Sequence, residues 1–281
     1  MVSRAASLNV HISLFADDSK VYSSSPDNLQ HTIDTMNFWL SERQLLLAPE
    51  KCMMLKISKK SVTNDSTYAI QNQPVQERLS VKDLGVFISH DLKWSCHVDH
   101  ICNSASFISY QLRKTVRSKN IWTWMDLFTT YIRPKLEYCT PVWCPNLNKD
   151  VDRIEDIQRR YTRFVFRKCS IPYSSYEDRL QKIDFMTLKQ RREFYDLVLV
   201  YKMINGLSDL HFDDYFSHIT TPYSLRSHSL QIKSLHSCTS TQSLTSFFGR
   251  TPAMWNKLPE KVVFANSLIV FKSLLKAHLK K

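Results

Sequence analysis

Three glycines in 281 residues leave little of the chain free to take the backbone conformations that glycine adopts most cheaply. The ordinary share is about 7%, so glycine-rich phosphate cradles have no material here, and neither a dinucleotide-binding nor a P-loop reading is supported. The scarcity favours helices, and apolar residues recur at helical spacing over much of the sequence. Ser25-Pro26-Asp27 offers an N-cap, a proline at the first helical position and an acid in the first turn. Leu29, Ile33, Met36 and Leu40 follow at helical intervals and predict a helix to about Leu47. From Ser95 onward Val98, Ile101, Cys102, Ala105, Ile108 and Leu112 mark one helix, ending in basic Arg113, Lys114, Arg117 and Lys119. Ile121, Trp124, Met125, Phe128 and Ile132 mark another, stopped by Pro134. Thr187 to Asn205 reads as one long helix with Gly206 at its C-cap. Leu268, Phe271, Leu274, Leu275 and Leu279 give a terminal amphipathic helix, and His211 to Thr245, rich in Ser, Thr and His, reads as a boundary or loop.

Strand character is confined to the first third. Residues 10–22 alternate apolar and polar around Asp17-Asp18, the pattern of a β-hairpin with an acidic pair at its turn. Adjacent carboxylates repel, and hard oxygen ligands of this kind suit Mg²⁺ or Mn²⁺, although most acidic turns bind nothing. Cys52–Ser58, Thr67–Ile70 and Ser80–Ile88 also have strand character.

Charge is unevenly placed. Residues 1–90 carry nine Lys/Arg and nine Asp/Glu, so the net +12 lies entirely after position 90. A basic part joined to a neutral part points to a polyanion contact confined to one lobe. Within Val151 to Lys168, Ile154, Ile157, Tyr161, Phe164 and Val165 form an apolar face, while Arg153, Arg160, Arg163 and Arg167 fall on another. Arginines at this spacing can meet successive phosphates of a duplex. The residues equally describe a solvated face partly neutralised by Asp150, Asp152, Glu155 and Asp156. Seven cysteines, irregularly spaced, do not form a secreted disulfide framework. Cys96, His97, His100 and Cys102 crowd one stretch, but a single helix does not bring all four to one face as zinc requires. No signal peptide and no bilayer-length apolar run is seen, so a soluble, intracellular protein without membrane contact is expected.

Phe15-Ala16-Asp17-Asp18 resembles the aromatic-x-Asp-Asp signature of reverse transcriptases, and further blocks follow it in order. Leu45 to Cys52 is similar to the next polymerase block, in which a lysine follows an apolar run. Leu84-Gly85-Val86-Phe87-Ile88-Ser89, with Leu92, Trp94 and His97, looks like the primer-grip region of non-LTR, LINE-type retrotransposon enzymes. Tyr131 to Tyr138 with Pro141-Val142-Trp143, Ile154 to Arg160, and Arg191-Arg192 before Tyr201-Lys202 are similar to that family's thumb. Trp255-Asn256, Leu258-Pro259 and Phe271-Lys272 resemble the segment that follows it in jockey-like elements.

The resemblance implies an α+β fold: a partial polymerase palm (1–94) of β-hairpin, helix and short antiparallel strands, a mostly helical thumb-like domain (95–207), and a linker with C-terminal extension (208–281). It implies an RNA-directed DNA polymerase in which Asp17 and Asp18 hold catalytic metal, Mg²⁺ or Mn²⁺, once the complete site is assembled. Phe15 would lie near the primer end, and Lys51 would protonate departing pyrophosphate; by the residues alone, Lys51 reads as a surface lysine at a strand start. Arg153, Arg160, Arg163 and Arg167 would meet the RNA template and DNA primer, or an RNA–DNA hybrid, in the nucleus by family analogy. Two-metal phosphoryl transfer needs several carboxylates, and the family takes a further aspartate from an earlier strand. Met1 to Asn9 hold no Asp or Glu. The chain is therefore expected to be a polymerase lacking its N-terminal part, inactive alone and meeting deoxynucleotides only with that part present. A non-catalytic nucleic-acid-binding module or an inactive remnant is the alternative.

Overall fold

The computed structural model describes residues 10–57, 68–172, 174–219, 228–236 and 238–280. The expected-strand ends Ser58 and Thr67, and the acid-free stretch Met1 to Asn9, lie outside the described residues. The chain is α+β, with helix predominant and the strands short. It divides into two compact units, residues 1–83 with 88–92, and residues 84–87 with 93–281.

In the first unit, β1 (Val10–Phe15) and β2 (Asp18–Ser23) pair antiparallel, and the hairpin packs on α1 (Pro26–Ser41). Short strands follow: β3 (Met53–Met54), β4 (Ala69–Ile70), β5 (Gln73–Pro74), β6 (Gln76–Glu77), β7 (Ser80–Asp83) and β8 (Val86–Ser89), of which Val86 and Phe87 belong to the second unit. The stretch expected as one strand over Ser80–Ile88 breaks at Leu84-Gly85, which take φ of 43° and 89°. One pair departs from the antiparallel expectation, since β3 and β6 run parallel. A small core joins buried Tyr68, Ile70 and Val75 to Leu29, Ile33, Leu47, Cys52 and Met54.

The predicted first helix runs six residues short of Leu47. Gln44 turns to φ 58°, Gln44 N–H donates to Ser41 O and Leu45 N–H to Leu40 O, both at 3.0 Å. That is the paired closure of a Schellman motif, which glycine usually occupies.

The second unit is helical: α2 (Ser95–Thr115), α3 (Ile121–Leu127), α4 (Arg133–Glu137), α5 (Asn148–Lys168), α6 (Tyr176–Lys182) and α7 (Leu188–Ile204). After β9 (Phe216–His218) and its antiparallel partner β10 (Ile232–Ser234) come α8 (Thr241–Thr245), α9 (Phe247–Trp255), α10 (Glu260–Val263) and α11 (Leu268–Leu279). Pro134 does not stop the helix before it. A π-helical turn, Phe128–Ile132, joins α3 to α4, and this widened turn accommodates a ring that would clash with a carbonyl one α-turn back. One core gathers Trp124, Phe128, Trp143, Ile154 and Tyr161 around α5; a second gathers Tyr201, Phe216, Ile232, Trp255 and Phe271. Both draw on α7, through Leu188 in the first and Leu197 to Met203 in the second. The stretch expected as a loop over His211 to Thr245 thus contributes strands to a core.

His97 has a physical consequence. It is 1% exposed, sits edge-on to Trp143 and accepts the Phe87 N–H at Nδ1 (3.2 Å), so the neutral ring is the one that fits. Burial, and secondarily His100, lowers its pKa from 6.5 to about 4. The unfolded chain therefore takes up this proton near pH 6.5 and the folded one only near pH 4. Stability is expected to fall as pH drops through that window, by about 3 kcal/mol in all. Urea midpoints from pH 7 to 4 would show this slope in the wild type and a shallower one in His97→Gln; equal slopes would contradict it.

Candidate nucleic-acid interface and acidic hairpin

Ile12 and Val21 pair across the β1–β2 hairpin, and His11 stacks on Tyr22 at 5.1 Å between ring centres. The turn consists of Ala16 and Asp17, with Phe15 opposite Asp18. Two-residue hairpin turns need positive φ at their first position, and Ala16 supplies it at 50°. Left-handed backbone costs a non-glycine residue about 1–2 kcal/mol. Ala16→Gly is thus expected to stabilise the hairpin by about 1 kcal/mol, read as slower amide exchange in 10–23; faster exchange would contradict it.

Asp17 occupies the turn and Asp18 opens β2; both are exposed and neither is held by an ion pair among the described residues. Phe15 beside them is 62% exposed. Lys51 ends a 3₁₀ turn over Pro49–Lys51 just before β3, and its exposed ammonium reaches neither aspartate within salt-bridge distance. As donors, Asp17 and Asp18 fit a hard divalent cation in kind and fall short in number. No group of three or more His, Cys, Asp and Glu is placed to hold a metal ion among the described residues. Within the second unit, Cys96 is exposed while His97 and Cys102 are buried.

The arginine row is organised by α5. Its apolar face is buried through Ile154, Ile157, Tyr161 and Val165, and this turns Arg153, Arg160, Arg163 and Arg167 outward, all four exposed. The acids of the same helix divide into two roles. Asp150 is 4% exposed and accepts the hydroxyl of Ser95, the first residue of α2, at 2.6 Å. Glu155 is 7% exposed and accepts the Tyr176 hydroxyl together with the Leu188 and Lys189 amides, each at 3.2 Å, that open α7. A carboxylate so placed answers both the unsatisfied amides and the positive end of a helix. These two acids are spent inside the fold and do not neutralise the row.

The remaining charges are local. Asp99 on α2 pairs with Arg153, and Asp156 holds Arg160 Nε at 3.0 Å and Arg159 at 3.6 Å. Such exposed pairs are worth little and exchange readily for a better anion. Arg163 and Arg167 have no ion-pair partner among the described residues. Sequence reasoning missed the neighbour of the row. Along α5 a groove of about 200 Å³ is lined by Ser106, Ser109, Tyr110 and Arg113 of α2 with Ile157 and Arg160. Phe107 and Tyr110, more than half exposed, and Lys114, 4.6 Å from the Tyr110 ring, add aromatic and basic surface on α2. The basic ending of α2 was the signal that could have found them. Arg191 and Arg192, by contrast, are turned to internal use: Arg191 pairs with Glu137, and Arg192 is buried.

No helix among the described residues is long and apolar enough to cross a membrane. The chain is 28% identical over 134 residues to an uncharacterized protein of Caenorhabditis elegans, an alignment that spans 48% of this chain and 67% of that protein. No protein-family model matches the chain. No solved structure matches it either.

Proposed function

We propose that this chain is part of a reverse transcriptase of the non-LTR retrotransposon kind, comprising lower palm, thumb and C-terminal extension. In isolation it works as a nucleic-acid-binding module for an RNA–DNA hybrid or duplex RNA. One observation carries the reading: α5 presents Arg153, Arg160, Arg163 and Arg167 together on its exposed face, while Asp150 and Glu155 are consumed within the fold. Phosphate contacts of this kind position a duplex without reading its sequence.

The hairpin supports the polymerase half of the reading by its residue order, Phe15-Ala16-Asp17-Asp18 at a β-turn. With Asp17 and Asp18 bound, Mg²⁺ or Mn²⁺ would supply charge stabilisation for phosphoryl transfer. Two carboxylates do not suffice to hold two cations, so the chain alone is expected not to extend a primer. The test is primer extension and hybrid binding side by side on the wild type and Asp17→Asn. Salt-sensitive binding in both and extension in neither is the expected result. Mg²⁺-dependent extension abolished by Asp17→Asn would overturn the binding-module reading, and absence of binding in both would overturn the nucleic-acid reading altogether.

A further inference from the structure

The α2–α5 groove holds two guanidiniums and no carboxylate among its lining residues. Arg113 is fixed by stacking on Phe164, 4.5 Å from the ring centre. Burial, and secondarily the facing charge of Arg160, pulls the Arg113 pKa below its ordinary value. Arg160 meets Asp156 through Nε, 3.0 Å from the carboxylate and 3.4 Å from the carbonyl. Ser106, Ser109, Tyr110 and Ile157 complete the lining.

We propose that this groove is a phosphate-binding pocket that takes one phosphoryl group between Arg113 and Arg160. A tetrahedral oxyanion relieves the repulsion between the two cations and accepts from their guanidiniums and from the lining hydroxyls. Guanidinium forks bind such groups through paired charge-assisted bonds. The phosphate can belong to a nucleic-acid backbone or to a free phosphate compound. The inference rests on the nucleic-acid reading only for that choice of source.

The probe is inorganic phosphate, titrated into the full chain at constant ionic strength while the arginine Nε–H resonances are followed. The Arg113 and Arg160 signals are expected to shift saturably. Arg160→Gln, at an exposed position where folding is not at stake, should weaken the binding about tenfold or more, as should Arg113→Lys, which keeps charge but loses the fork. Linear, non-saturating shifts, or wild-type affinity in both variants, would overturn the pocket. Displacement of bound phosphate by an RNA–DNA hybrid would assign the pocket to backbone phosphate; saturation without displacement would assign it to a free phosphate compound. Phosphate saturation in a chain that binds no hybrid would refute the nucleic-acid reading and leave the pocket standing.

Discussion

Asp196→Ala is expected to destabilise the protein by about 3–5 kcal/mol, the range for leaving a buried charge without its partner. Asp196 on α7 and Arg250 on α9 form a bidentate pair at 2.8 and 2.9 Å, with side chains only 2% and 15% exposed. Arg250 also donates to the Thr245 carbonyl (3.0 Å) and the Pro141 carbonyl (3.0 Å), tying three segments to one guanidinium. Burial pushes the Asp196 carboxyl above its ordinary range even though Arg250 opposes the shift. Desolvation therefore consumes much of what the pair gains, and the pair fixes geometry more than it adds net stability. The double variant Asp196→Ala/Arg250→Met should recover most of the loss. Denaturant midpoints of the wild type, the single variant and the double variant decide it; a single-variant loss under about 1 kcal/mol, as for exposed pairs, would contradict the account.

Reversing Arg160 and Arg163 to Glu is expected to weaken hybrid binding by at least about 100-fold, since charge-assisted hydrogen bonds are worth about 1.5–3 kcal/mol each. The slope of log affinity against log salt should become shallower by about 2, one for each lost phosphate contact. Both residues are exposed and stand clear of the buried face of α5, so the fold should be untouched. Filter binding over a salt series, with circular dichroism as a control on folding, makes the comparison. Unchanged affinity in a folded double variant would remove α5 from the interface.

What the sequence made legible follows from local physics. The apolar period of α5 fixes which side is buried, so the outward aim of Arg153, Arg160, Arg163 and Arg167 could be read before any coordinates. Thr187 and Gln190 form the capping box that begins α7, and Gly206 at φ 63° ends it, both at the expected places. The end of α1 was hidden by the shortage of glycine. Gln44, Ser170 and Asp184 close α1, α5 and α6 at positive φ with the same paired carbonyl bonds that Gly206 makes. None of these residues announces such a turn. Two acids of α5, Asp150 and Glu155, were misjudged for a different reason: whether Glu155 faces solvent or caps α7 depends on a contact 33 positions away. Arg250 and Asp196, 54 positions apart, are likewise joined only by tertiary packing, and so are Arg113 and Arg160 in their shared groove.

The most direct test of the central claim is the affinity of the unaltered chain for an RNA–DNA hybrid, measured without divalent metal from about 50 to 200 mM salt, the range over which phosphate contacts declare themselves. Four phosphate-facing arginines predict saturable binding and a log–log slope near −3 to −4, at about 0.9 per contact. Absence of saturable binding at the low-salt end, or a slope near zero, would contradict it.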